Sequence, residues 1–191
     1  MDDVVRHARH DTIAFGRLFD QFYPTILAFA MRRLLVRASA EDVTSEVFVK
    51  VAGAMGNSSV TTLEHFRRWL FRIATNEINA ELRKSSRRRE LLETAANLGY
   101  VGGDSTHGII EVDASTRWSD LYAAIQQLDE REQSIIALRF FEGLKHNQIA
   151  RILNIKTGTV RVALSRALNK LRDHLRNLET PPNCGIQRGS K

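Results

Sequence analysis

An all-α fold is predicted, built as two small helical domains joined by a flexible linker. Three observations predict it. Apolar residues recur at three- and four-residue spacing through most of the chain, the period of a helix with one buried face. The three prolines are not expected to break the long periodic segments, and no stretch alternates at the two-residue period of a strand. Glycine is concentrated at one internal place, where Gly99, Gly102, Gly103 and Gly108 fall close together. Each costs a helix roughly 1 kcal/mol relative to alanine.

The 191 residues suit one ordinary domain or two small ones. With 43% hydrophobic and 26% charged residues, there is apolar material enough for a core, which argues against wholesale disorder. A net charge of +6 suits a polyanionic partner. Cys184, the only cysteine, excludes an internal disulfide or a multi-cysteine metal site. No apolar run approaches the roughly 18 residues of a membrane span, so no membrane insertion is expected. The opening MDDVVRHARHD lacks the apolar centre of a secretory signal. A reducing cytoplasm is the expected location.

The expected boundaries are 10–90 for the first unit, 91–117 for the linker, 118–178 for the second unit and 179–191 for a flexible tail. In the first unit, AFGRLFDQFYPTILAFAMRRLL is amphipathic, with Phe15, Leu18, Phe19, Phe22 and Tyr23 supplying apolar area. In ASAEDVTSEVFVKVAGAM, Ser39 followed by Asp42 resembles a helix start. Asp42 and Glu46 lie one turn apart and make a small acidic patch. Nothing near them supplies a nucleophile or a metal partner, so a protein-contact surface is expected.

The segment HFRRWLFRIATNEINAELRKSSRRRE forms one long helix with a divided circumference. Phe66, Trp69, Leu70 and Ile73 share one side and read as core. Arg68, Arg72, Thr75, Asn76, Asn79 and Arg83 project from another, by the 100° rotation per residue. Arginine supplies charge for a phosphate backbone, and amides can read base edges. Arg87, Arg88 and Arg89 extend the positive surface or simply form a solvated helix end.

In the second unit, Asp129 followed by Glu132 resembles a capping box, and Gly143 stops the helix it opens. A short helix over about Asn147 to Leu153 precedes Asn154, a residue that tolerates the left-handed conformation of a tight turn. Thr157 or Thr159 can cap the next helix. Short helix, tight turn and longer helix suggest helix-turn-helix. Ile149, Leu153, Ile155, Val160 and Leu164 can converge, with small Ala150 at the crossing. Val160, Leu164, Ala167, Leu168 and Leu171 share one face of the longer helix. Thr159, Val162, Ser165, Arg166, Asn169 and Lys170 share the opposite one, and Arg161 flanks the apolar stripe. This division suits a recognition helix in a major groove; a solvated basic face on an ordinary helical hairpin is the bland alternative.

Together these segments resemble the extracytoplasmic-function group of bacterial sigma-70 factors, which pair a region 2 with a region 4. AEDVTSEVFVKV is similar to the family's polymerase-binding motif, with Asp42, Glu46 and Phe48 in matching places and Ser45 where glutamine is usual. HFRRWLFRIATNEINAELRK is similar to the segment that recognises and melts the −10 element. This implies −10 roles for Arg68, Arg72, Asn76, Asn79 and Arg83. GAMGNSSVTTLE corresponds to the loop that captures a flipped-out base. LKHNQIARILNIKTGTVRVALSRA is similar to the region 4 motif that reads the −35 element, and Gly158, Thr159 and Val160 are its most specific triplet. Thr159, Arg161, Val162, Ser165 and Arg166 are the implied −35 residues. Asn154 replaces the usual glycine, and Val162 and Ala163 replace commonly polar or basic residues.

The resemblance implies a sigma factor that binds core RNA polymerase and promoter DNA, needs no cofactor, and is a target for an anti-sigma factor. Asp104, Glu111 and Asp113 suggest a linker that mimics RNA phosphates in the polymerase cleft, against a plain spacer. Two rival readings stand beside it. A helix-turn-helix regulator that is not a polymerase subunit explains the second unit but not the Arg/Asn helix or the acidic segment. An enzyme is not expected: no P-loop, Gly-x-Ser-x-Gly, cysteine pair or His-Glu-x-x-His occurs, and His7 and His10 have no evident third ligand.

Overall fold

The computed structural model describes residues 1–97 and 116–179. Every regular element among them is helical. Helices α1 (Asp2–His7), α2 (Thr12–Leu34), α3 (Arg37–Met55) and α4 (Leu63–Asn97) form the first unit. Helices α5 (Thr116–Gln126), α6 (Glu130–Ile136), α7 (His146–Leu153) and α8 (Thr157–Glu179) form the second, with a π-helical turn (Ala137–Phe141) extending α6.

Local chemistry accounts for most of the boundaries. Asp11 caps α2 by accepting a hydrogen bond from the Ile13 N–H at 2.8 Å. Leu35, at φ 59°, ends that helix in the left-handed region without a glycine. Pro24 lies inside α2 and, as expected, does not break it. The helix survives because Pro24 and Asp20, whose carbonyl loses its donor, both stand on the solvent side. Helix α3 begins at Arg37, so Ser39 is already inside it. Helix α4 outruns the expected boundary at 90 and continues to Asn97. The added stretch, LLETAAN, is rich in helix formers and precedes Gly99, the first glycine of the internal cluster.

The first unit is held by aromatic contacts between helices. Phe19 meets Phe48 edge-on at 4.8 Å, Phe29 meets Phe71 at 5.3 Å, and Phe22 meets Phe66 at 5.4 Å. Such pairs add about 0.5–1.5 kcal/mol each beyond burial. In the second unit Ala124, Ile125, Leu128, Ile136, Ala167 and Leu171 form their own cluster.

The two units are not apart. One continuous core runs from α1 through α4 into Ile135, Leu138, Leu144, Ile149, Ile152 and Val160 of the second. The two helical units are thus present as expected, and they are docked on one another. The linker core 98–115, with Asp104, Glu111 and Asp113, and the tail from 180 with Cys184, lie outside the described residues.

Candidate nucleic-acid interface

Helix-turn-helix geometry is assembled as its residues require. The Asp129 carboxylate accepts from the Glu132 N–H at 2.7 Å, and Glu132 Oε2 accepts from the Asp129 N–H at 3.2 Å. This reciprocal box starts α6. At its far end the π turn is closed by the Glu142 N–H bonding the Ala137 carbonyl, and Gly143 turns the chain at φ 64°. Asn154 ends α7 at φ 54° and ψ 47°, with its N–H on the Ala150 carbonyl. Helix α8 starts at Thr157 itself. Ile149, Ala150 and Val160 are buried, with Leu153, Ile155 and Leu164 packed against them.

Burying Val160 and Ala167 fixes the rotation of α8. Thr159, Arg161, Val162, Ser165 and Arg166 are all exposed as a result. Val162, at 51% exposure, belongs to this outer face. Leu168 does not complete the apolar stripe, being 38% exposed. Lys170 is turned toward its own unit, donating to Glu132 at 2.7 Å.

On α4 the stripe is split. Arg72 and Asn76 are exposed and Arg68 is half-buried. Thr75 departs from expectation: it is 2% exposed, and its hydroxyl donates to the Phe71 carbonyl at 2.7 Å. A short polar side chain inside a helix readily satisfies itself on the preceding turn. Asn79 and Arg83 are both engaged within the fold, and Ser134 of the second unit donates to Asn79 Oδ1 at 3.4 Å. Arg33 Nη2 donates to Asn79 Oδ1 at 2.9 Å, and Arg83 Nη1 donates to Glu130 at 2.7 Å. Phe66 is fully buried and Trp69 partly so, which makes both structural.

The acidic segment of α3 presents Asp42 and Glu46 to solvent. Glu46 pairs with Lys50 at 3.4 Å and Glu41 with Arg37 at 2.8 Å, whereas Asp42 has no ion pair among the described residues. Lys50 also donates to Glu77 at 2.6 Å, and these bonds, Glu77's first, raise its pKa. Phe48 is 4% exposed beneath Phe19 and Tyr23, so it shapes this surface from inside.

Several residues of consequence escape a sequence reading. Arg33 is 2% exposed, and burial is the main cause that lowers its pKa to about 10, against an opposing pull from Glu130. Its Nη1 donates to Ser134 Oγ at 3.1 Å. Glu142 lies 3.7 Å from Arg32 and 4.0 Å from Arg67, and burial raises its pKa despite both. The doublet Arg32–Arg33 at the end of α2 was the one available signal, and helix-end arginines are usually solvated.

The sequence matches Sigma-70 region 2 over residues 18–88 and Sigma-70 region 4 over residues 124–173. It is 31% identical to the RNA polymerase sigma-H factor of Pseudomonas aeruginosa, over 86% of this chain and 87% of that one. It is also 31% identical to the ECF RNA polymerase sigma factor BldN of Streptomyces coelicolor, over 90% of this chain but 64% of that longer one. The fold resembles CnrH in complex with the cytosolic domain of CnrY, with a TM-score of 0.65 at 20% identity, covering 94% of this chain and 98% of CnrH. It likewise resembles the sigma factor RpoE in complex with the anti-sigma factor NepR from Bartonella quintana, with a TM-score of 0.60 at 24% identity, covering 85% and 96%. With both helical regions matched in order and the outer face of α8 free, the chain belongs to the extracytoplasmic-function group of the sigma-70 family.

Proposed function

We propose that this chain directs core RNA polymerase to promoters by reading two DNA elements with two helical faces, and that it acts by binding rather than catalysis. The observation that carries the reading is the outer face of α8. Thr159, Arg161, Val162, Ser165 and Arg166 stand together in solvent behind the buried stripe of Val160 and Ala167. Docked in a major groove at the −35 element, this face offers Arg161 and Arg166 for guanine edges or phosphates and Val162 for a thymine methyl.

At the −10 element, Arg68, Arg72 and Arg83 hold the strand while Asn76 and Asn79 read base edges. Unstacking a base costs a few kcal/mol, which a fitted site and arginine contacts offset without hydrolysis. Asp42 and Glu46, supported from beneath by Phe48, face the polymerase. Engagement of one element raises the effective concentration of the other face at its own element.

The domain boundaries we assign are 2–97 for the unit reading the −10 element and 116–179 for the unit reading the −35 element. A cytoplasmic location fits this role, and among the described residues no helix is long and apolar enough to cross a membrane. The CnrH and RpoE structures each contain a bound partner, and an anti-sigma factor covering the exposed faces suits this chain as well.

Run-off transcription with purified core polymerase on genomic fragments tests the proposal. Specific transcripts that depend on the chain are expected. A protein that binds promoter fragments but never programs core polymerase is a helix-turn-helix regulator instead.

A further inference from the structure

Resting on the −10 assignment above, and on the loop 56–62 between α3 and α4 sharing in it, we propose that Asp2 and Arg9 are positioning residues for that loop. From α1 and the turn behind it they fix the loop's backbone. Its polar side chains then meet an unstacked −10 base in a preset arrangement.

The loop is tied at its start, in its second half and at its end. At its start it passes the Arg9 carbonyl, which would lie 3.8 Å from a Cβ on Gly56. Further on, the Arg9 guanidinium donates through Nη2 to the Val60 carbonyl at 2.8 Å. At its end the Asp2 carboxylate accepts from the Leu63 N–H at 2.7 Å, across 61 positions of sequence. Leu63 opens α4, and its N–H is one of those that a helix start leaves without an intrahelical acceptor. Thr62 adds the local cap, its Oγ1 accepting from the His65 N–H at 3.2 Å. Helix α4 thus takes its opening hydrogen bonds from the loop and from α1 together. Val5, Ala8 and Val60 are buried in the same core beneath these bonds.

The side chains of the loop are arranged the other way. Asn57, Ser59 and Thr61 are exposed and make no side-chain hydrogen bond among the described residues. A backbone held from outside, under free donors and acceptors, suits base reading, because the ordering entropy is met in folding rather than on binding. Covering the core needs neither charge. An apolar side chain at position 9 would do that alone, whereas the Arg9 Nε is left buried without a partner. What the guanidinium adds is the bond to Val60.

The test is run-off transcription by the full chain with core polymerase, on one promoter and on its single-base substitutions across the −10 element. Asp2→Ala and Arg9→Met are each expected to lower discrimination several-fold at one −10 position and to keep wild-type ratios at the others. Asp2→Asn, which retains the accepting oxygen, is expected to discriminate there as the wild type does. With that base removed from the non-template strand as an abasic site, Asp2→Ala and the wild type are expected to transcribe equally. Hydrogen exchange at the Val60 to Leu63 amides is expected to rise in Asp2→Ala. Losses spread evenly over all −10 positions, a deficit that persists on the abasic promoter, or unchanged discrimination or exchange overturns the inference. Asp2 is exposed, so its variant decides the matter even where Arg9→Met fails to fold. Asn76→Ala, and a chain combining Asn57→Ala, Ser59→Ala and Thr61→Ala, separate the inference from the reading beneath it. If Asn76→Ala alters −10 discrimination and the loop variant does not, the −10 reading stands and the role of Asp2 and Arg9 fails. If neither alters it, the −10 reading has failed and the inference with it.

Discussion

Arg33 and Asn79, separated by a gap of 46 positions in sequence, share a 2.9 Å hydrogen bond that joins the end of α2 to the middle of α4 beneath α6. The bond ties a residue assigned to base reading to a charge that never reaches solvent. Its energetics are asymmetric, and that asymmetry can be measured.

Removing the acceptor leaves a buried cation short of a partner, whereas replacing the cation removes the need for one. Asn79→Ala is expected to destabilise the chain by about 2–3 kcal/mol. Arg33→Met, neutral and of similar bulk, is expected to cost less than about 1.5 kcal/mol. Urea unfolding of the two variants checks this. Equal losses show that the guanidinium is a net stabiliser. A cation whose pKa is lowered to about 10 weakens the packed state throughout neutral pH. That penalty lifts only as pH climbs above about 10 toward the ordinary guanidinium value.

Glu142 gives a pH dependence of its own. Burial raises its carboxyl pKa above the ordinary 4.5 even with Arg32 and Arg67 nearby. The packed state therefore binds this proton more tightly than the unfolded chain does. Its contribution is full below about pH 4.5 and declines as pH rises through the raised value. Glu142→Gln is expected to gain stability relative to the wild type between pH 4.5 and pH 7, read from paired urea midpoints. A variant that loses ground over that interval shows that the two arginines outweigh burial.

Arg166→Ala is expected to reduce −35 discrimination by about 1–3 kcal/mol, the worth of a base contact. Competition binding across substituted −35 duplexes measures it. Weakening that is uniform across sequences assigns Arg166 to a phosphate instead.

Asn154 sits at φ 54° in the turn between α7 and α8. Asn154→Gly is expected to leave stability within about 0.5 kcal/mol, since glycine adopts this conformation without steric cost. Asn154→Val is expected to cost about 1–2 kcal/mol because a branched Cβ meets the following carbonyl. Thermal midpoints of the two variants give the comparison.

Asp42→Lys is expected to weaken core polymerase binding about tenfold, equivalent to about 1.4 kcal/mol. Glu41→Gln, which removes a charge already paired with Arg37, is expected to change it little. Fluorescence titration with core polymerase distinguishes them, and equal effects disconnect Asp42 from that surface.

Much of this molecule was legible in its residues because helices are local. The capping box of Asp129 and Glu132, the turn at Asn154 and the buried Val160 all act within a few positions. Together they determine the helix-turn-helix and the outward face of Arg166. On α4 the exposure of Arg72 and Asn76 was likewise readable from helical rotation, but not the burial of Thr75, whose hydroxyl turned back on its own helix. Phe48 was visible as a motif residue, but its burial under Phe19 depends on how α2 crosses α3. What only the tertiary structure decided is where distant charges meet. Whether Arg33 is solvated or entombed, and whether Asn79 and Arg83 face water or α6, depends on the docking of two units. No local pattern encodes that docking, because its hydrogen bonds join residues tens of positions apart and its apolar contacts use the same leucines and isoleucines that each unit displays as ordinary core.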